Sequence, residues 1–307
     1  MHKVSNEQSD NARAKRRYVA ALLIFGTNGL ITSTINLPSP EIVLWRTLLG
    51  CAVLLVCAQM LRLAAPRGHD LAFIAASGAA MGISWAFQYE AYKTVGVGFS
   101  SLVYCLGPVL VIALAPMVLR EKPSAPHIAG LAVVVMGVVL VNGGAVASRA
   151  STWGLFCAAL TVVAYVIMVM LSKRASESFG VVGVAVQMAS ACAVSAVACI
   201  AGSASGSFTF SIPSTADIPA LAALGLVNGG LCCYWYFDSI NKLPAATVAV
   251  CDYLEPASSL ALSAMFLDER LASTQIIGAT LILVGAIGSE ACSTFVTKHP
   301  HHNTSRK

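Results

Sequence analysis

The sequence predicts an all-α membrane protein of ten transmembrane helices, arranged as two inverted five-helix repeats with both termini cytoplasmic (N-in/C-in). Three observations predict it. With 57% hydrophobic and 11% charged residues over 307 positions and a mean hydropathy of +0.76, the chain has too little polar surface to clothe a soluble globule of its size. Apolar windows long enough to cross roughly 30 Å of hydrocarbon, about 20 residues as a helix, occupy most of its length. Finally, two long apolar stretches match without gaps at an offset of 148 residues (256 − 108 = 148). Leu106-Gly107-Pro108, Leu119-Arg120-Glu121, Gly130 and Gly137 return as Leu254-Glu255-Pro256, Leu267-Asp268-Glu269, Gly278 and Gly285.

In chain order, residues 1–17 form a polar, basic cytoplasmic tail. The apolar run that follows has no small-x-small exit, so it reads as a retained first helix and not as a cleaved signal peptide. The first repeat, 18–147, holds windows at 18–35, 42–63, 71–92, 97–119 and 126–147. The second, 152–296, holds windows at 152–172, 181–202, 218–240, 245–267 and 273–296, and 297–307 is a cytoplasmic tail. Five spans per repeat is an odd number, so the second copy enters the membrane from the opposite face. Small residues at close spacing, as in Gly78-Ala79-Ala80-Met81-Gly82 and Ser190 to Ser195, permit close helix contact in lipid, in sliding and static bundles alike.

The net charge of +5 reads as a topology signal and not as a nucleic-acid footprint. With the N-terminus inside, 15 of 19 Lys and Arg residues fall on the cytoplasmic side, among them Arg13, Arg16, Arg17, Arg62, Arg67, Arg120, Lys122, Lys173, Arg174 and Lys242. Lys93, Arg149 and Arg270 fall outside, and Arg46 lies within the second span.

Polar groups at mid-span mark a candidate pathway, because a charge at a helix centre costs at least about 2.5–3.5 kcal/mol to insert. Glu255 sits near the middle of span nine with Asp252 one turn earlier, so both carboxylates project from one helical face, where they repel unless a proton or cation intervenes. These two and Arg46 either line a cavity for a charged or zwitterionic solute, or serve structure: Arg46 pairing with Glu41 or Glu255, or snorkelling, and Asp252 reaching the headgroups. Pro108 and Pro256 stand at matched positions, where a proline breaks the helix and frees the carbonyls of Tyr104 and Asp252 toward a shared wet cavity, unless the breaks are simple packing kinks. Trp85, Gln88, Tyr89, Glu90 and Tyr92 end span three, and Tyr234, Trp235, Tyr236, Phe237 and Asp238 end span eight. Aromatics there suit an interfacial belt, while Trp85, Tyr89 and Tyr236 are candidates to face the cavity. Asn28, in span one, either lines the path or bonds a neighbouring helix.

The ten cysteines form no metal-ligand spacing and read as small packing residues, so neither metal nor cofactor is expected. All six histidines lie in tails, loops or at a helix start, and no nucleophile or zincin string occurs, which argues against an intramembrane enzyme.

Tyr253-Leu254-Glu255-Pro256, then Leu267 to Leu271 and Ile276-Ile277-Gly278-Ala279 through Gly285, resemble the closing segment of EamA-type carriers in the drug/metabolite transporter (DMT) superfamily. Phe25-Gly26-Thr27-Asn28, the arginine in span two and Leu171-Ser172-Lys173-Arg174 are similar to that family as well. The resemblance covers the membrane region and implies a ten-helix, multi-pass carrier with a central pathway, often an exporter of amino acids or other small metabolites. Its departure is that Gly107-Pro108 stands in the first copy where the second has Glu255-Pro256. Glu121 and Glu269 are assigned structural roles, capping the next helix or pairing with Lys122 and Arg270. The expected partners are a small-molecule substrate and the lipid bilayer of the plasma membrane, with no nucleic acid. One chain contains a whole pathway, and a homodimer is compatible with it. A passive channel is the alternative; a ring of like charge or a filter sequence would favour it.

Overall fold

The computed structural model describes residues 2–64, 68–95, 100, 103–121, 123–142, 151–175, 180–207, 209–266 and 273–298. Arg67, Lys122, Arg149, Glu269, Arg270, Arg306 and Lys307 lie outside the described residues, as do the side chains of Tyr92 and Lys93. Among the described residues all regular structure is helical: α1 His2–Phe25, α2 Asn28–Ser33, α3 Ser39–Met60, α4 His69–Val95, α5 Leu106–Val118 and α6 Ala125–Asn142. There follow α7 Thr152–Arg174, α8 Gly180–Ala204, α9 Ile218–Ile240, α10 Ala245–Cys251, α11 Leu254–Phe266 and α12 Ser273–Lys298. Residues Ala223–Cys232, in the middle of α9, are wound as π-helix.

Among the described residues, five helices (α3, α4, α7, α8 and α9) are long and apolar enough to cross a membrane, and Leu106–Val118, Ala125–Leu140 and Ile276–Ser289 are shorter apolar helices. The windows at 18–35 and 245–267 are not continuous helices. The first breaks at Gly26-Thr27, where the Thr27 hydroxyl and N–H both turn back onto the Ile24 carbonyl at 2.7 and 2.9 Å. The second breaks at Asp252-Tyr253. Pro108 and Pro256 therefore sit in the first turns of α5 and α11, where a missing N–H forfeits no intrahelical bond. This corrects the expectation that Pro256 frees the Asp252 carbonyl, which accepts the Glu255 N–H at 3.2 Å. In the first copy, the Cys105 carbonyl accepts the Tyr253 hydroxyl at 2.6 Å, a bond between matched positions (253 − 105 = 148).

Helix packing follows one rule of exchange between the halves. If α1, α3, α4, α5 and α6 are matched to α7, α8, α9, α11 and α12, three contacts between halves have their counterparts: α4 on α7 with α9 on α1, α4 on α8 with α9 on α3, and α5 on α7 with α11 on α1. The α3–α8 and α6–α12 contacts are their own counterparts.

Glycine makes these crossings close. A Cβ on Gly285 would stand 2.9 Å from the Gly130 carbonyl oxygen and 2.8 Å from Val134, and a Cβ on Gly137 would stand 2.5 Å from the Gly278 carbonyl. The four glycines of the repeated motif thus meet one another, Gly130 against Gly285 and Gly137 against Gly278. Gly78 and Gly82 of α4 abut Gln187 and Ala191 of α8, as Gly50 of α3 abuts Gly229 of α9. Lipid tails give helices no hydrophobic reason to associate, so van der Waals contact at small residues and buried hydrogen bonds supply the adhesion. Such bonds run through the seam of α4, α7 and α8: Ser77 donates to the Met168 carbonyl at 2.9 Å, Gln187 donates to Ser77 at 2.9 Å, and Ser84 donates to the Thr161 carbonyl at 3.1 Å. Gln187, Thr161 and Ser195 are fully buried while Met117, Val197, Ile200 and Ile287 are exposed, the reverse of a water-soluble surface.

Gly285→Ala is expected to destabilise the α6–α12 crossing by about 1–3 kcal/mol through overpacking. Nothing lies within 4 Å of a Cβ on Gly288, one turn on, so Gly288→Ala is expected to stabilise the helix by about 0.5–1 kcal/mol. Thermal unfolding of both variants in detergent checks the opposite signs.

Candidate functional site

Between the halves lies a cavity of about 460 Å³, a size that suits a small organic solute. Much of its wall comes in pairs at the 148-residue offset: Trp85 and Cys233, Gln88 and Tyr236, Tyr89 and Phe237, Tyr104 and Asp252, Cys105 and Tyr253, Pro108 and Pro256. Every residue singled out for the pathway lines it: Glu255, Asp252, Arg46, Asn28, Tyr104, Trp85, Tyr89 and Tyr236, with both prolines. The two helix interruptions put them there. The break at Gly26-Thr27 brings Asn28 beside α11, and the break at Asp252-Tyr253 turns two acids into the same space although no continuous helix joins them.

Of the alternatives open to Arg46, it neither snorkels nor forms an ion pair with Glu41 or Glu255. It is buried, and among the described residues no carboxylate lies within salt-bridge distance of it. Its guanidinium carbon sits 4.0 Å from the centre of the Trp85 ring and 6.0 Å from that of Phe25, and Nη1 donates to the Tyr89 hydroxyl at 3.4 Å. Aromatic faces thus substitute for a counter-ion, an attraction of about 2 kcal/mol when desolvated. Glu41 instead accepts the Ser211 N–H at 3.2 and 3.3 Å.

The two acids have different surroundings. Glu255 lies beside the Asn28 side chain and in the field of Arg46. Asp252 does not reach the headgroups: Oδ1 accepts the Tyr18 hydroxyl, and Oδ2 accepts the hydroxyls of Tyr165 and, at 3.4 Å, Tyr236. Tyr18 stacks on Tyr236 with ring centres 4.9 Å apart, and Tyr104 meets Tyr165 edge-on at 5.1 Å. Three buried polar atoms of the wall have no protein partner: Arg46 Nε, Asn28 Oδ1 and Gln88 Oε1. One donor and two acceptors beside a carboxylate can bind a solute that carries both an acceptor and a donor group.

From this floor the cavity reaches Ile35 and Leu37 in the turn before α3. There Asp217 accepts the Asn36 N–H at 3.2 Å and the Ser214 hydroxyl at 2.6 Å. Beyond the floor, Glu121 pairs with Lys173 at 3.4 Å and accepts the Ala245 N–H at 2.6 Å, and Asp238 pairs with Lys242 at 2.8 Å and Arg17 at 3.6 Å. Glu121 therefore caps α10, in the other half, and not the next helix. Tyr234 and Trp235 pack partly buried against the core.

Sequence reading missed Tyr18 and Tyr165. Tyr18 follows two arginines and resembles an interfacial anchor, and Tyr165 is an isolated hydroxyl in an apolar span. The repeat does not single them out either, since at its offset Tyr18 meets Val166.

Apolar helices that enclose a charged, aromatic-walled cavity between matched halves make a membrane transporter. The chain belongs to the EamA-like transporter family, which matches it at residues 18–143 and again at 152–289. It is thus a multi-pass membrane protein of the DMT superfamily that acts on a small-molecule substrate. The uncharacterized transporter YxxF of Bacillus subtilis (strain 168) is 23% identical to it over 288 residues, 92% of this chain and 90% of that protein. A solved crystal structure, 20% identical, shares the fold with a TM-score of 0.78 over 91% of this chain and 98% of that one.

Hydrogen bonds, from the Ser214 hydroxyl first and then the Asn36 N–H, hold the Asp217 carboxyl below the usual carboxylate range. A depressed carboxyl stabilises its clasp fully above its unfolded value, and the effect is lost as pH falls through the folded one. Amide exchange at Asn36 and Ser214 is expected to stay slow through mildly acid buffer and to quicken only below the usual carboxylate range. Asp217→Asn is expected to quicken it already at neutral pH.

Proposed function

We propose that this protein is a secondary-active carrier that moves amino acids or related organic solutes across the plasma membrane by alternating access, working as an exporter. Its chain crosses the bilayer ten times, as two inverted five-helix repeats at 18–147 and 152–296 with both termini cytoplasmic. One observation carries the reading: six pairs of matched positions, one residue from each half, line a cavity that also holds charged groups, so rocking one half against the other would expose it to either side in turn. Side-to-side contacts agree with this topology. Arg17, Glu121, Lys173, Asp238 and Lys242, all assigned to the cytoplasmic face, gather in two ion-pair clusters, and Asn36, Glu41, Ser211 and Asp217, assigned to the opposite face, bond one another.

In the cavity, Glu255 and Asn28 receive the donor group of the solute, an ammonium in the case of an amino acid. Arg46 Nε receives its acceptor, and Trp85, Tyr89, Tyr104 and Tyr236 pack against its apolar part. Asp252 belongs to the floor of the pathway.

The test is uptake and counterflow in liposomes with a panel of amino acids and organic cations. Saturable uptake that is accelerated by unlabelled solute on the far side is expected. Glu255→Gln and Arg46→Gln are each expected to lower it at least tenfold, the loss of one charge-assisted contact of about 1.5–3 kcal/mol. Full transport by both folded variants would remove the site assignment, and flux that neither saturates nor shows counterflow would make the protein a channel.

A further inference from the structure

We infer that Asp252 is the residue on which this carrier takes up and releases a proton, with the hydroxyls of Tyr18, Tyr165 and Tyr236 as the cradle that decides its charge. The assignment rests on the carrier reading above and deepens it by naming the coupling ion and its place.

The geometry distinguishes Asp252 from its neighbour. Its three protein contacts are all O–H donors, from α1, α7 and α9. That arrangement fits an ionised carboxylate, which only accepts; a neutral carboxyl must itself donate, so one tyrosine would have to turn away. The titratable groups facing it are Tyr18, Tyr165, Tyr236 and Tyr253, with Glu255 one turn on and Cys105 across the interface. Among the described residues no cation pairs with Asp252. The charge is therefore sustained by hydroxyl dipoles alone, and those dipoles belong to three helices of both halves.

Dipoles of this kind are lost when helices shift. If α1 moves relative to α7 and α9, Tyr18 leaves Oδ1, and a carboxylate short of donors beside Glu255 is costly in an apolar core. A proton from water in the cavity then bonds to Oδ1 in place of the Tyr18 hydrogen bond, and Tyr18 keeps its own proton. When α1 returns, the Tyr18 hydroxyl re-forms its bond and the proton leaves to water on the side then open. A metal ion suits the place less well, because hydroxyl hydrogens already occupy the oxygens it would need. Solute and proton thus have separate carboxylates, Glu255 and Asp252.

The test uses the full chain in liposomes. Infrared difference spectra between acid and alkaline buffer need no solute, and their probe is the proton itself. Asp252→Asn is expected to abolish a protonated-carboxyl stretch that Glu255→Gln leaves in place, and Tyr18→Phe is expected to keep that stretch but displace its midpoint on the pH axis. With whichever solute passes the counterflow assay, an imposed pH gradient is expected to drive accumulation by the parent and none by Asp252→Asn. A stretch that survives in Asp252→Asn, a midpoint unmoved in Tyr18→Phe, or gradient-driven accumulation unchanged in Asp252→Asn would overturn the assignment. If Asp252→Asn does not fold, Tyr18→Phe and Tyr165→Phe, which keep the carboxylate, decide by their midpoints. Failure of every solute to exchange on the parent would sink the carrier reading, and the spectra would still decide where the proton binds.

Discussion

Close backbone approach between the two halves is the interaction on which the rest of this molecule depends. In lipid there is no hydrophobic gain from pressing one apolar helix on another, so helices adhere only where surfaces meet at van der Waals distance or share buried hydrogen bonds. Gly130, Gly137, Gly278 and Gly285 make such a surface between α6 and α12, and Gly50 with Gly229 does the same between α3 and α9. Because the contacts are reciprocal, each half is completed by the other. The cavity lies between them, and its polar groups are sheltered from lipid only while these crossings hold.

Duplication fixes where the cavity wall stands but leaves its chemistry free to diverge. At the repeat offset Tyr104 corresponds to Asp252, Gly107 to Glu255, and Trp85 to Cys233. The result is partly symmetric in position and asymmetric in charge, with both cavity acids on the second copy and the cavity arginine, Arg46, on the first. Close crossings constrain the backbone wherever two helices touch, whereas a solute needs only one set of contacts. The pairs Gly130 and Gly278, Gly137 and Gly285, and Pro108 and Pro256 are kept, while Gly107 gives way to Glu255 at the cavity.

Polar clasps at either end of the bundle have the character of contacts that can be exchanged. Glu41 and Asp217 hold backbone N–H groups, and Lys173 also donates to the carbonyls of Ile240 and Leu243, at 3.2 and 2.6 Å. Water that reaches such bonds can replace them at small net cost. The glycine crossings lack that freedom. The π-helical stretch of α9, which runs through Asn228 and Gly229, is a further local departure from regular winding where α9 crosses α3 and nears α1.

The sequence by itself determined that the chain belongs in a bilayer, that it is a unit written twice, and which glycines and prolines correspond. Each of these rests on composition or on local pattern, which a linear string preserves. It also marked Glu255, Asp252, Arg46, Asn28 and the span-end aromatics, because a polar group in an apolar run stands out without any fold. Only the tertiary structure decided what those groups touch. In the string Arg46 is open between a cavity, an ion pair and the interface, and its neighbour is the Trp85 ring from another helix; Asp252 reads as the twin of Glu255, but its partners Tyr18 and Tyr165 come from positions 234 and 87 residues away. Tyrosine carries no hydropathy signal that separates a membrane anchor from a buried donor. Whether a hydroxyl faces headgroups or a carboxylate depends on how helices distant in sequence are brought together, and hydropathy records only the cost of leaving water.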